Sequence, residues 1–95
     1  MLRVMRIVKI EKVEDLTEGY APGKPFSIFI APVVGGAYLP GDVAIINGTL
    51  PETDTATDIP VMVGDWSPVV FDSITADSLD LTNCELYASE LEIQG

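Results

Sequence analysis

Apolar residues in this chain come in short runs, with glycine, proline, asparagine or aspartate between them. Runs of that length, bounded by turn formers, predict strands. Residues 2–13 alternate as a long first strand, with Met5 and Ile7 on one face and Val4, Val8 and Ile10 on the other. Leu2, Met5, Val8 and Val13 are also loosely helical in spacing. The four β-branched residues Val4, Ile7, Val8 and Ile10 favour the strand. Residues 14–25 read as a loop, broken by Gly19, Pro22, Gly23 and Pro25. Residues 26–34 are nearly continuous apolar and predict a central strand, which puts Pro32 at a bulge or an unpaired position. Gly35-Gly36 reads as a turn, and Leu39-Pro40-Gly41-Asp42 as a type II turn. Val43 to Ile46 predicts a short strand ended by a hairpin at Asn47-Gly48. Residues 51–58 are a polar, exposed loop. Further strands are expected at 59–63 and 68–75, separated by Gly64-Asp65-Trp66-Ser67, with a turn at Asp80 to Asn83. A final strand over 84–93 places Tyr87, Ser89, Leu91 and Ile93 on one face and Cys84, Leu86 and Ala88 on the other, with Glu90 and Glu92 outward near its end. Even spacing of this kind predicts an all-β fold, a small antiparallel sandwich or barrel. The 95 residues form one domain: a basic first strand over 1–13, a loop over 14–25, and a β core over 26–95 that carries the exposed loop 51–58.

Charge changes this picture at one end. Arg3, Arg6, Lys9 and Lys12 recur in steps of three within the first twelve residues, against Glu11 alone. The remaining 83 residues hold Lys24 against fourteen carboxylates, and the whole chain is at −10. A body so acidic repels phosphate backbones, so no nucleic acid is expected as a partner. No stretch is apolar enough to span a bilayer, and no membrane partner is expected. Charges interrupt the apolar residues of Met1 to Arg6, so no signal peptide is read there and an intracellular origin is the default. Asn47-Gly48-Thr49 matches a glycosylation sequon, which carries no weight without a secretory signal.

Hydrophobic residues make up 47% of the chain and mean hydropathy is +0.32. A chain of this size buries only about 60–65% of its unfolded surface, so part of that apolar surface is expected against another subunit.

The candidate chemistry is sparse. There is no histidine, which removes the usual general base and the commonest metal ligand. The single cysteine, Cys84, rules out an intramolecular disulfide and a cysteine-rich zinc site; it reads as a small buried hydrophobe. Asp54, Asp58, Asp72, Asp77 and Asp80 match no calcium-loop spacing and read as a solvated acidic surface. No catalytic residue, metal or cofactor is predicted, and the chain is read as not an enzyme.

Two features remain as interaction candidates. Arg3, Arg6, Lys9 and Lys12 are either a charge-protected edge strand or a handle for the acidic surface of another copy. Trp66, in its glycine-bounded turn, is either a lid on the open end of the core or a stacking platform for sugar, with Tyr20 and Tyr38 as weaker versions of the same question. The lid is the expectation.

Residues 59–74, from Ile59-Pro60-Val61 through Trp66-Ser67-Pro68 to Ile74, and residues 79–87, Leu79-Asp80-Leu81-Thr82-Asn83-Cys84-Glu85-Leu86-Tyr87, resemble small head-associated proteins of tailed bacteriophages. In those proteins a Trp-x-Pro segment feeds a strand, and a short loop leads to a final strand ending near a tyrosine. The resemblance implies a non-enzymatic capsid decoration or accessory protein, present in many copies in the virion or, during assembly, in the host cytoplasm. Its partners would be itself, as a homo-oligomer, and other virion proteins. The basic first strand lies outside the resemblance. The alternative function is a small carbohydrate- or ligand-binding β module that uses Trp66 and nearby tyrosines.

Overall fold

The computed structural model describes the backbone of residues 4–94 and the side chains of residues 9–90. Six strands follow one another: β1 (Val4–Val13), β2 (Phe26–Pro32), β3 (Val43–Thr49), β4 (Thr57–Met62), β5 (Ser73–Ile74) and β6 (Cys84–Gln94). They form two antiparallel three-stranded sheets, ordered β1-β6-β2 and β4-β3-β5. The fold is all-β, as the spacing of apolar runs predicts.

The two sheets share one core. Val13, Phe26, Ile28, Ile30, Leu86 and Ala88 face inward from the first sheet, and Ala44, Ile46, Ile59, Val61 and Ile74 from the second. Leu16, Val63, Phe71 and Leu79 fill the ends from loops. Segment 64–74 joins the sheets along one side. Phe71 exchanges both backbone hydrogen bonds with Phe26 of β2, at 2.8 and 2.9 Å, and two residues later the same segment becomes β5 beside β3. Tyr20 of the first loop pairs with Ile74 on the other edge of β5.

Several local expectations hold. Gly41 has φ of +90° and the Asp42 N–H donates to the Leu39 carbonyl at 3.0 Å, the geometry of a type II turn. Asp80 closes the turn before β6 by accepting from the Thr82 N–H and hydroxyl and the Asn83 amide. Cys84, Leu86 and Ala88 are all buried on the inward face of β6.

Others are corrected. Asn47-Gly48 is not a hairpin turn but lies inside β3, opposite Asp58 and Thr57. Asn47 donates to Asp58 across the ladder at 2.9 Å. Gly48 is in the strand because a Cβ there would collide with the Ser73 carbonyl of β5; glycine marks a close approach of two backbones. The turn comes later, at Leu50-Pro51-Glu52-Thr53, with Glu52 at φ of +69°. The expected strand over 68–75 reduces to Ser73–Ile74, because residues 67–70 bulge out between two isolated bridges. β2 stops at Pro32, two residues short of the expected end, and β4 begins at Thr57 inside the expected loop. The alternation of β1 is broken by a bulge between Ile7 and Lys9, which leaves Val8 without a partner on β6.

Gly48→Ala is expected to destabilise the domain by about 1–3 kcal/mol, the cost of overpacking against unyielding backbone. Urea denaturation followed by Trp66 fluorescence measures it. An unchanged midpoint would show that β5 moves aside freely.

Candidate functional site

The described residues present two apolar surfaces that the core does not use. The first is the outward face of the β3–β4 ribbon. Alternation puts Ala44 and Ile46 inward, so Val43 and Ile45 point to solvent and are 57% and 54% exposed. Their cross-strand partners are Met62, 52% exposed, and Pro60. No charged side chain lies on these two rungs. Only Asp58, held by Asn47, follows on the next outward rung.

The second surface lies on the outward face of the first sheet. Register aligns Lys12 of β1, Tyr87 of β6 and Phe29 of β2, and the bridge from Phe29 to Trp66 extends the row to a fourth segment. The neighbouring rung of Val13, Leu86 and Ile30 is buried, which fixes this row as outward. Phe29, Tyr87 and Trp66 are half-buried, and the Phe29 and Trp66 rings meet edge to face at 5.4 Å between centroids. A groove of about 340 Å³, lined by Val43, Pro60, Met62, Asp65, Trp66 and Pro68, joins the two surfaces at Trp66.

Trp66 therefore does not roof the core, as the lid reading expects. Its bridge to Phe29 turns it onto the outer face. Tyr20 packs its ring on Phe26 at 5.0 Å and Tyr38 packs against the core, so neither joins Trp66. The tyrosine that does is Tyr87, which only cross-strand register reveals.

The basic residues divide. Arg3 lies outside the described residues, as does the side chain of Arg6, whose backbone pairs with Glu92. Lys9 is 3.9 Å from Glu11. Lys12 is 2.8 Å from Glu85 of β6, with Glu14 at 4.0 Å. The hydrogen bond from Lys12 to Glu85 raises the lysine pKa above its usual value, with the charges of Glu85 and Glu14 adding to it. β1 occupies the edge of its sheet, paired within its own chain, and both lysines have carboxylates of that chain beside them.

Two of the four edge strands, β1 and β4, are blunted. β1 carries its bulge at Val8 and the cations Lys9 and Lys12. On β4, the Val63 N–H donates toward Asp42 beside β3, so by the period of two the backbone position of Pro60 faces the open edge, where it has no N–H to offer. Stray strand addition is disfavoured at these two edges.

Among the described residues no group of three or more His, Cys, Asp or Glu side chains could hold a metal ion. Glu14, Asp15, Asp77 and Asp80 surround a pocket of about 290 Å³ between two loops. Asp15 and Asp80 are both held below the usual aspartate range by hydrogen bonds from Thr17 and Thr82 in the turns they close. Burial, with Asp80 nearby, pushes the Cys84 thiol up, so it stays protonated at neutral pH.

No protein-family model, curated protein or solved structure matches this chain.

Proposed function

We propose that this chain is a non-enzymatic structural domain that works in many copies, as a head decoration or accessory component of a tailed phage or prophage. The observation that carries the assembly reading is the outward face of the β3–β4 ribbon. Val43, Ile45 and Met62 are each more than half exposed there, in a chain with a net charge of −10. Acidic copies repel at most points of contact, and an uncharged apolar patch is where they can meet without burying carboxylates. Burial of that patch recovers about 25 cal/mol per Å² of apolar surface removed from water. The phage setting comes from the resemblance of residues 59–87, and with it the virion as location and other virion proteins as further partners.

Ile45→Lys tests the reading. Ile45 points away from the core, so the fold should keep its β-sheet circular dichroism. A lysine forced into the contact should weaken association by roughly a hundredfold or more. Native mass spectrometry and light scattering of the wild-type chain should show species larger than a dimer that the variant loses. A wild-type chain that stays monomeric at high concentration and low salt would overturn the proposal, and so would multimers indifferent to Ile45→Lys.

A further inference from the structure

We infer that the row Lys12–Tyr87–Phe29–Trp66 is a second contact, through which two copies of this chain pack face to face about a two-fold axis. The inference rests on the reading of the chain as a multicopy domain, but concerns the opposite sheet.

Three observations carry it. First, the row holds three half-buried aromatic side chains in cross-strand register, on a face the core does not use. Adjacent strands are about 4.8 Å apart, so the row spans about 14 Å, long enough to meet a second sheet face. Ile10, 59% exposed, stands on the next outward rung and widens the apolar area. Second, the blunted edges of β1 and β4 direct contacts to faces instead of edges.

Third, the row ends in unlike groups: at one end an ammonium flanked by Glu85 at 2.8 Å and Glu14 at 4.0 Å, at the other a carboxylate. Lys12 stands at one end and Asp65, next to Trp66, at the other. A two-fold axis parallel to the strands, passing between Tyr87 and Phe29, reverses one row over the other. Lys12 of each copy then lies over Trp66 and beside Asp65 of its mate, while Tyr87 lies over Phe29. Each contact is made twice, as an isologous interface requires. The axis perpendicular to this one would set Lys12 against Lys12 and Asp65 against Asp65, so the reversed arrangement is the one that brings the Lys12 ammonium to Asp65 of the mate. The ammonium has three donors. Glu85 takes one at 2.8 Å, which holds the group at the end of the row and leaves donors for the carboxylate and indole face of the mate.

The test uses the full chain carrying Ile45→Lys, so that the β3–β4 contact does not contribute. Sedimentation velocity at low salt should show a monomer–dimer equilibrium. Lys12→Glu and Asp65→Lys should each weaken it by roughly tenfold or more, and the double exchange should recover most of the loss. Circular dichroism confirms that each variant is folded. A strictly monomeric Ile45→Lys chain would overturn the two-fold contact while leaving the proposed function standing, provided the wild type assembles. A dimer indifferent to both charge reversals would overturn it as well. So would a monomer whose Trp66 fluorescence shifts on adding a glycan panel, which would make the row a sugar platform.

Discussion

Phe71→Ala is expected to cost about 3–5 kcal/mol, the loss typical of emptying a buried phenylalanine site. A domain of this length has only about 5–15 kcal/mol in total, so the variant should lie close to half unfolded in mild urea. The size of the effect follows from where the ring sits. Phe71 is fully buried and stacks on Phe26 with 6.0 Å between centroids. A Cβ on Gly48 of β3 would sit 3.3 Å from its ring, so the ring reaches from the first sheet to the second. Its backbone is tied on both sides, to Phe26 directly and through Asp72 to the Thr49 carbonyl at 2.7 Å. Those bonds do not depend on the side chain, so the segment stays in place and the cavity cannot collapse. Phe71→Leu should recover more than half of the loss. Urea denaturation gives both values, with an unchanged slope confirming a pure stability effect. A loss below about 1 kcal/mol would mean that the two sheets close over the gap.

Ser67→Ala should cost about 1–3 kcal/mol, the desolvation penalty of leaving a buried polar group unpaired. Between the bridges at Trp66 and Phe71, the chain bulges away from β2 and the ladder is interrupted. The Ser67 hydroxyl repairs it. It accepts from the Ile28 N–H at 3.0 Å and donates to the Val69 carbonyl at 2.9 Å. Ser27, also buried, holds its single hydroxyl proton within reach of the Ser67 carbonyl at 3.0 Å and the Ser67 hydroxyl at 2.9 Å. Alanine keeps the volume within one atom and strands the Ile28 N–H. Ser27→Ala should cost less, since no backbone N–H depends on its hydroxyl. Hydrogen exchange adds a site-specific readout: the Ile28 amide should exchange faster in Ser67→Ala than in Ser27→Ala. Equal rates would show that the hydroxyl does not hold the ladder.

The same segment shows where sequence reasoning stops. Residues 68–75 are rich in β-branched residues and read as one strand. The bulge arises because β2 advances three residues from Phe26 to Phe29 while its partner advances five from Trp66 to Phe71. That mismatch belongs to two segments forty residues apart. Asn47-Gly48 misleads for a related reason. The pair favours a tight turn locally, but at this position glycine is needed because β5 comes too close for a side chain. Leu16, a core residue 3% exposed, lies in a stretch that reads as loop, and no period marks it.

The sequence alone determined the all-β class, the turns at Leu39–Asp42 and Asp80–Asn83, and the division of β6 into two faces. Each of these rests on local backbone preference or on a strand with one apolar and one mixed face. The outward surfaces were decided by tertiary structure. In β3 both faces are apolar, Ala44 and Ile46 against Val43 and Ile45, so alternation alone cannot choose which is buried. Likewise Trp66 took its place from the bridge to Phe29, and Tyr87 and Lys12 joined it through the register of β6. A period of two states that a strand has two faces; only the sheet packed against it states which of them meets water.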